Sequence, residues 1–208
     1  MAYLVRSSDM LRCFLFLFVS TSFAQLHYDT IINKGIYKSY FNVRLKQPVA
    51  VTYTLYKGGG KAKRDNDHFV GTALTLHDKD YLHSGYDRGH LVPAEDFAYS
   101  DSLQALTFSY YNCVPQVPKL NRGAWKKYET KVRKLSQKDT LIIICVNQYK
   151  YTYLDHFNVP EVCYKFVYTL SGKYLFGIGL TNSIATAGQE AEIDDKIKKE
   201  VEGLLRKH

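Results

Sequence analysis

An α+β domain built on antiparallel strands is the fold class this sequence predicts, and three observations carry that reading. Several segments of seven to nine residues either alternate apolar and polar positions or run continuously apolar, which is strand length. Two stretches hold apolar residues at helical spacing. Ser171-Gly172-Lys173 separates two of the strand segments closely enough to make an antiparallel hairpin.

In chain order, the first 24 residues stand apart from the domain. Arg6 and Arg12 supply a positive start, residues 13–19 are apolar, and Ser22-Phe23-Ala24 is a small-x-small site before Gln25. This is the pattern of a secretory signal, with a mature domain over residues 25–208. The apolar run is far below the ~18 to 20 residues needed to cross a bilayer. The expectation is a secreted or periplasmic protein with no membrane anchor after cleavage.

Residues 48–56, PVAVTYTLY, alternate as a strand does, and KGGGKAKRDNDH at 57–68 reads as a flexible basic loop. Further strands are predicted at 105–111 (ALTFSYY), 140–147 (TLIIICVN), 162–170 (VCYKFVYTL) and 173–180 (KYLFGIGL). The first helix covers 120–135, where Trp125, Tyr128, Val132 and Leu135 share a face and Asn121 is placed as the N-cap. The second, over 190–207, repeats Ile193, Ile197, Val201 and Leu204 or Leu205, with acids early and bases late as the helix dipole prefers.

The net charge is +8 at pH 7. A basic domain favours polyanionic partners such as nucleic acid or anionic surfaces, and charge alone does not choose between them. After the leader three cysteines remain, Cys113, Cys145 and Cys163. An odd number with no CxxC pair is neither a disulfide framework nor a structural zinc site. Cys145 and Cys163 read as core residues of strands, able to bridge if those strands are neighbours.

Two constellations carry chemistry. In YDRGHLVPAED, residues 86–96, His90 stands beside an arginine, a glycine and an acid at once, as a base for activating water would. Downstream, Asn121 and Glu129 are eight residues apart, about two helical turns, so they address one side of a helix. An oxygen ligand near a helix start with a carboxylate two turns on suits a hydrated magnesium ion, which needs few protein ligands.

DRGHLVPAED, then NCVPQ, then LNRGAW followed by Glu129 resemble the DNA/RNA non-specific endonuclease family. These are the ββα-metal (His-Me finger) nucleases of the Serratia nuclease, cyanobacterial nuclease and mitochondrial endonuclease G type. The likeness runs from about Tyr37 to Leu180. It implies a central antiparallel sheet with flanking helices and a magnesium ion, with manganese able to substitute. It implies His90 as general base, Asn121 as the direct metal ligand, and Glu129 as a catalytic residue holding the metal through water. Arg88 would contact the phosphate, Asp87 would position its neighbours, and Arg64 would stabilise the pentacovalent phosphorus. Asn112 would support the metal and base geometry and, with Arg122, belong to the substrate-binding set. Gly89 would let the backbone take a conformation closed to other residues.

The implied activity is hydrolysis of DNA and RNA to 5′-phosphate ends, by a monomer or homodimer. A silent nucleic-acid-binding or uptake protein on the same fold is the alternative, and it would not need His90, Asn121 and Glu129 together. Loss of activity at acid pH, as His90 protonates near its reference value of ~6.5, is also expected.

Overall fold

The structure, a computed structural model, describes residues 26–64, 68–149 and 157–208. The secretory leader expected at 1–24 lies outside them, as do residues 65–67 of the basic loop.

The chain opens with three antiparallel strands, β1 (Thr30–Asn33), β2 (Tyr37–Asn42) and β3 (Gln47–Leu55). It then leaves the sheet for α1 (Asp78–Tyr81), β4 (Asp87–His90), α2 (Asp101–Thr107), β5 (Cys113–Gln116) and α3 (Lys126–Ser136). It returns through β6 (Leu141–Gln148), β7 (Val162–Thr169), β8 (Tyr174–Thr181) and β9 (Glu190–Ala191), and ends in α4 (Asp195–Lys207). The sheet order is β1-β2-β3-β6-β7-β8-β9, antiparallel throughout, and β4 and β5 form a separate antiparallel ribbon. The ribbon and α3 together make a ββα unit inside the excursion between β3 and β6.

The sheet is buried on both faces. On one, Val51, Tyr53, Ile143, Cys145 and Val167 pack beneath Leu91, Val114, Leu120 and Trp125 from the excursion. On the other, Ile142, Ile144, Tyr164 and Phe166 receive Ile197, Val201 and Leu204 of α4. Asp194 caps that helix by accepting from the Ile197 amide at 2.8 Å, and its stripe is the one the sequence spells out. The β7–β8 turn uses Gly172 at φ 83°, a left-handed conformation that other residues resist.

Three expectations change, and one alternative left open is decided. The strand expected at 105–111 is absent: α2 takes its first residues and a 3₁₀ turn, Tyr110–Asn112, its last. A short apolar run does not separate strand from helix by itself, and here Ser100 decides by accepting the Leu103 amide as an N-cap. Asn121 is not an N-cap either. Helix begins at Pro118, a position where proline's missing N–H costs nothing, and the Leu120 and Asn121 amides both reach Val117 O, at 2.9 and 3.0 Å. That frees the Asn121 side chain, which sits in a π-helical turn, Leu120–Trp125, leading into α3.

The basic loop is strapped down over its described part. Gly59 N donates to Asp96 O and Ala62 N to Ala98 O, and a Cβ on Gly60 would fall 2.0 Å from Ala98 O. Finally, Cys145 and Cys163 lie on adjacent strands but remain free, buried thiols, as does Cys113.

Candidate active site

A cleft of about 510 Å³ opens where the ribbon meets the helix. His90, Asn121 and Glu129 line it, with Arg64, Arg122 and Arg133 around them. Pro93, Ala94, Glu95 and Lys126 complete the wall. Residues separated by up to 69 positions in sequence thus meet in one place.

His90 ends β4, paired with Cys113 of β5. Its ring stands between Phe69 and Phe108, each 4.9 Å away centroid to centroid, the latter edge-on. Nε2 is shielded from solvent and has no hydrogen-bond partner among the described residues. Burial, and then the positive charges of Arg64 and Arg88, push its pKa down to about 3. The imidazole is therefore neutral at any ordinary working pH. This moves the expected acid titration of His90 well below its reference value.

Gly89 is required for a reason other than the one expected. It lies in extended backbone within β4, and a Cβ there would fall 2.4 Å from Gln116 Oε1. Close approach across the ribbon excludes a side chain.

Asp87 organises the helix side of the cleft. Arg122 reaches it with two parallel bonds, Nε to Oδ2 at 2.8 Å and Nη2 to Oδ1 at 2.6 Å. Asn121 Nδ2 donates to Oδ2 at 2.9 Å. Burial raises the Asp87 pKa, but the Arg122 and Asn121 hydrogen bonds outweigh it and hold the carboxyl below its usual range. An ionised carboxylate only accepts, so the amide nitrogen of Asn121 must face Asp87 and Oδ1 must face away from it. The amide oxygen is left available as a hard ligand.

Glu129 lies two turns beyond. Burial raises its pKa to about 7; Lys165, Arg133 and Arg64 pull it down, and Asp96 adds to the rise. Among the described residues no cluster of three or more His, Cys, Asp or Glu could cage a metal. One amide oxygen and one carboxylate nevertheless fit a divalent ion that keeps most of its waters.

Two expected site residues stand elsewhere. Arg88 does not line the cleft: its guanidinium is paired with Asp78 and lies 5.5 Å from the Phe69 ring, acting on His90 through its charge. Asn112, expected with the substrate-binding residues, is fully buried. Its amide accepts from Val92 N at 2.8 Å and donates to Val92 O and Thr107 O at 2.9 Å each. Two of these three bonds hold Val92, just after His90, and the third ties the amide to the end of α2, so Asn112 is a buried brace and not a substrate contact. Arg64 lies in the cleft wall with Nη2 2.5 Å from Glu95 Oε2.

Lys126 and Arg133 are cleft residues that motif reading missed. Their signal was present in the spacing: positions 122, 126, 129 and 133 form one helical stripe. The buried Asp96, which accepts from Tyr53 Oη at 3.0 Å and Arg133 Nη1 at 2.5 Å and so anchors that arginine, carried no comparable signal.

With this geometry in view, the comparisons with known proteins point one way. The family model described as DNA/RNA non-specific endonuclease matches residues 18–200. The mitochondrial nuclease EXOG of Danio rerio is 42% identical over 72 residues, which cover 35% of this chain and 21% of the relative. Human mitochondrial endonuclease G is 39% identical over 66 residues, 32% of this chain and 22% of the relative. Mitochondrial nuclease 1 of Schizosaccharomyces pombe is 32% identical over 119 residues, 53% and 37%. The chain thus spans well under half the length of these relatives. Among solved structures, EndoG in a complex with EndoGI superposes with a TM-score of 0.65 at 20% identity, over 78% of each chain. That likeness is one of fold.

Proposed function

The chain belongs to the DNA/RNA non-specific endonuclease family, and on that premise we propose that it is a metal-dependent endonuclease hydrolysing phosphodiester bonds of DNA and RNA. The observation that carries this is the single cleft lined by His90, Asn121 and Glu129 under a rim of Arg64, Arg122, Lys126 and Arg133. A neutral imidazole takes a proton from water as that water attacks phosphorus. The cationic rim stabilises the charge that develops on the phosphoryl oxygens. Asn121 Oδ1, with Glu129 through water, would hold a divalent ion, magnesium or manganese, which would supply positive charge for the phosphoryl transfer when bound. Product ends then carry 5′-phosphate.

The basic rim and the absence of a base-reading motif in the sequence support recognition of the phosphate backbone in either nucleic acid. The leader-like composition of residues 1–24 supports export, to be tested by sequencing the amino terminus of protein recovered outside the cytoplasm, expected to begin at Gln25.

The test of activity is incubation of the purified protein with supercoiled plasmid and with RNA, each with magnesium and with EDTA. Magnesium-dependent cleavage of both supports the proposal. Folded protein that retards DNA without cutting it would instead identify a binding protein on a nuclease fold.

A further inference from the structure

The backbone around His90 is gripped from two directions. From the helix side, Trp125 Nε1 donates to His90 O at 3.0 Å. From the sheet side, the next carbonyl, Leu91 O, receives Lys165 Nζ at 3.3 Å and Cys145 Sγ at 3.4 Å, two residues that pair across β6 and β7. The grips touch each other, because Lys165 Nζ stands 4.5 Å from the centroid of the Trp125 ring, an attractive cation–π placement. Both side chains are fully buried.

A buried ammonium is expensive to desolvate, and an apolar residue would fill the same volume without that cost. Lys165 lies beneath the cleft, where its charge offsets part of the rise that burial imposes on the Asp96 and Glu129 carboxyls, but it does not line the cleft itself. Position 92 is held as well, by the Asn112 amide bonded to both Val92 N and Val92 O. Three consecutive residues therefore have backbone groups held by side chains from β5's approach, α3's leading turn and the sheet. Such redundancy is what fixing one side chain to a fraction of an ångström demands.

We propose that Lys165 is a positioning residue of the active site, which with Trp125 clamps the His90–Leu91 backbone between the sheet and the helix carrying Asn121 and Glu129. The kinetic consequence rests on the nuclease reading given above; the structural consequence does not. With the clamp released, the imidazole drifts relative to Asn121 and Glu129 while the cleft rim that binds substrate stays as it was. Turnover falls and substrate affinity does not.

The test uses the full chain carrying Lys165→Met, which keeps an unbranched side chain under Trp125 and removes the ammonium. Trp125→Phe is the second variant, keeping an aromatic face over Lys165 and removing the indole donor. Three quantities are read: kcat and KM on plasmid, melting temperature, and the His90 ring resonance, assigned by its loss in His90→Ala. In both variants kcat is expected to fall about 10- to 100-fold at unchanged KM, with the His90 resonance shifted or doubled. A folded variant with wild-type kcat and an unmoved resonance overturns the proposal, and so does a lower melting temperature with wild-type kcat per folded molecule. If Lys165→Met does not fold, Trp125→Phe decides by the same two outcomes. If the wild type cuts neither DNA nor RNA, the activity reading has failed separately, and the resonance alone supports or overturns the clamp.

Discussion

On the face covered by α4, β6 and β7 present Ile142, Ile144, Val146, Tyr164 and Phe166 to Ile197, Val201 and Leu204. On the opposite face the same two strands present Cys145, Cys163 and the ammonium of Lys165, under an excursion that also buries Asp96 and Asn112. Alternate residues of one strand thus serve opposite ends. The α4 face is an apolar contact whose burial favours folding by about 25 cal/mol per Å². The excursion face holds charges and an imidazole nitrogen with no hydrogen-bond partner among the described residues, which oppose folding. A site of this kind needs a stable platform behind it, and the sheet supplies one by keeping its other side simple.

Four substitutions or conditions break or sharpen that contrast. His90→Ala should lower cleavage about 10²- to 10⁴-fold, the range for removing a general base, with DNA binding retained. Plasmid nicking by the folded variant at wild-type rate would remove His90 from its role. Asp87→Asn should come next, at about 10- to 100-fold, since it removes the charge and one of the two acceptor oxygens that together turn the Asn121 amide and hold Arg122. The readout is kcat together with the magnesium concentration needed for half-maximal rate, and unchanged values for both would show that Asn121 is oriented some other way.

The third is a pH effect on stability. The folded pKa of Glu129 is raised to about 7 from 4.5, so its contribution is complete below pH 4.5 and is lost as pH rises through 7. His90 runs the other way: its depressed pKa contributes stability that is complete above pH 6.5 and is lost as pH falls toward 3. In metal-free protein, Glu129→Gln should therefore gain melting temperature relative to wild type between pH 5 and pH 8. A difference that stays constant over that range would contradict the raised carboxyl.

The smallest effect on chemistry belongs to the other face. Leu204→Ala should cost about 2–5 kcal/mol of stability and leave kcat per folded molecule unchanged. Denaturant midpoints and initial rates on the same sample separate the two, and a matching fall in kcat would mean the faces are coupled.

Part of this was legible before any coordinates. Strands β3, β6, β7 and β8 and helix α4 follow from local pattern, since alternation and helical stripes reflect burial directly. His90, Asn121, Glu129 and Arg122 were singled out from motifs and Arg64 from the family resemblance, and all line one cleft. What escaped shares a cause. Strand β4 is Asp-Arg-Gly-His, which no hydrophobic pattern marks, and it is a strand because β5 pairs with it. Lys165 alternates with Tyr164 and Phe166 as an outward-facing lysine would, yet both faces of β7 are covered. Asn112 and Arg88 look like polar site residues, and only their partners, the Val92 backbone and Asp78, reveal that their bonds are already committed.

By itself the sequence determined which candidate residues to look for in one cleft, the basic balance, and the elements whose periodicity is local. The tertiary structure alone decided that Asp87 aims Asn121, that Asn112 is scaffold, that His90 is kept neutral by burial and neighbouring cations, and that a lysine lies beneath it. Those four depend on contacts between segments distant in the chain, and on desolvation by all of them together.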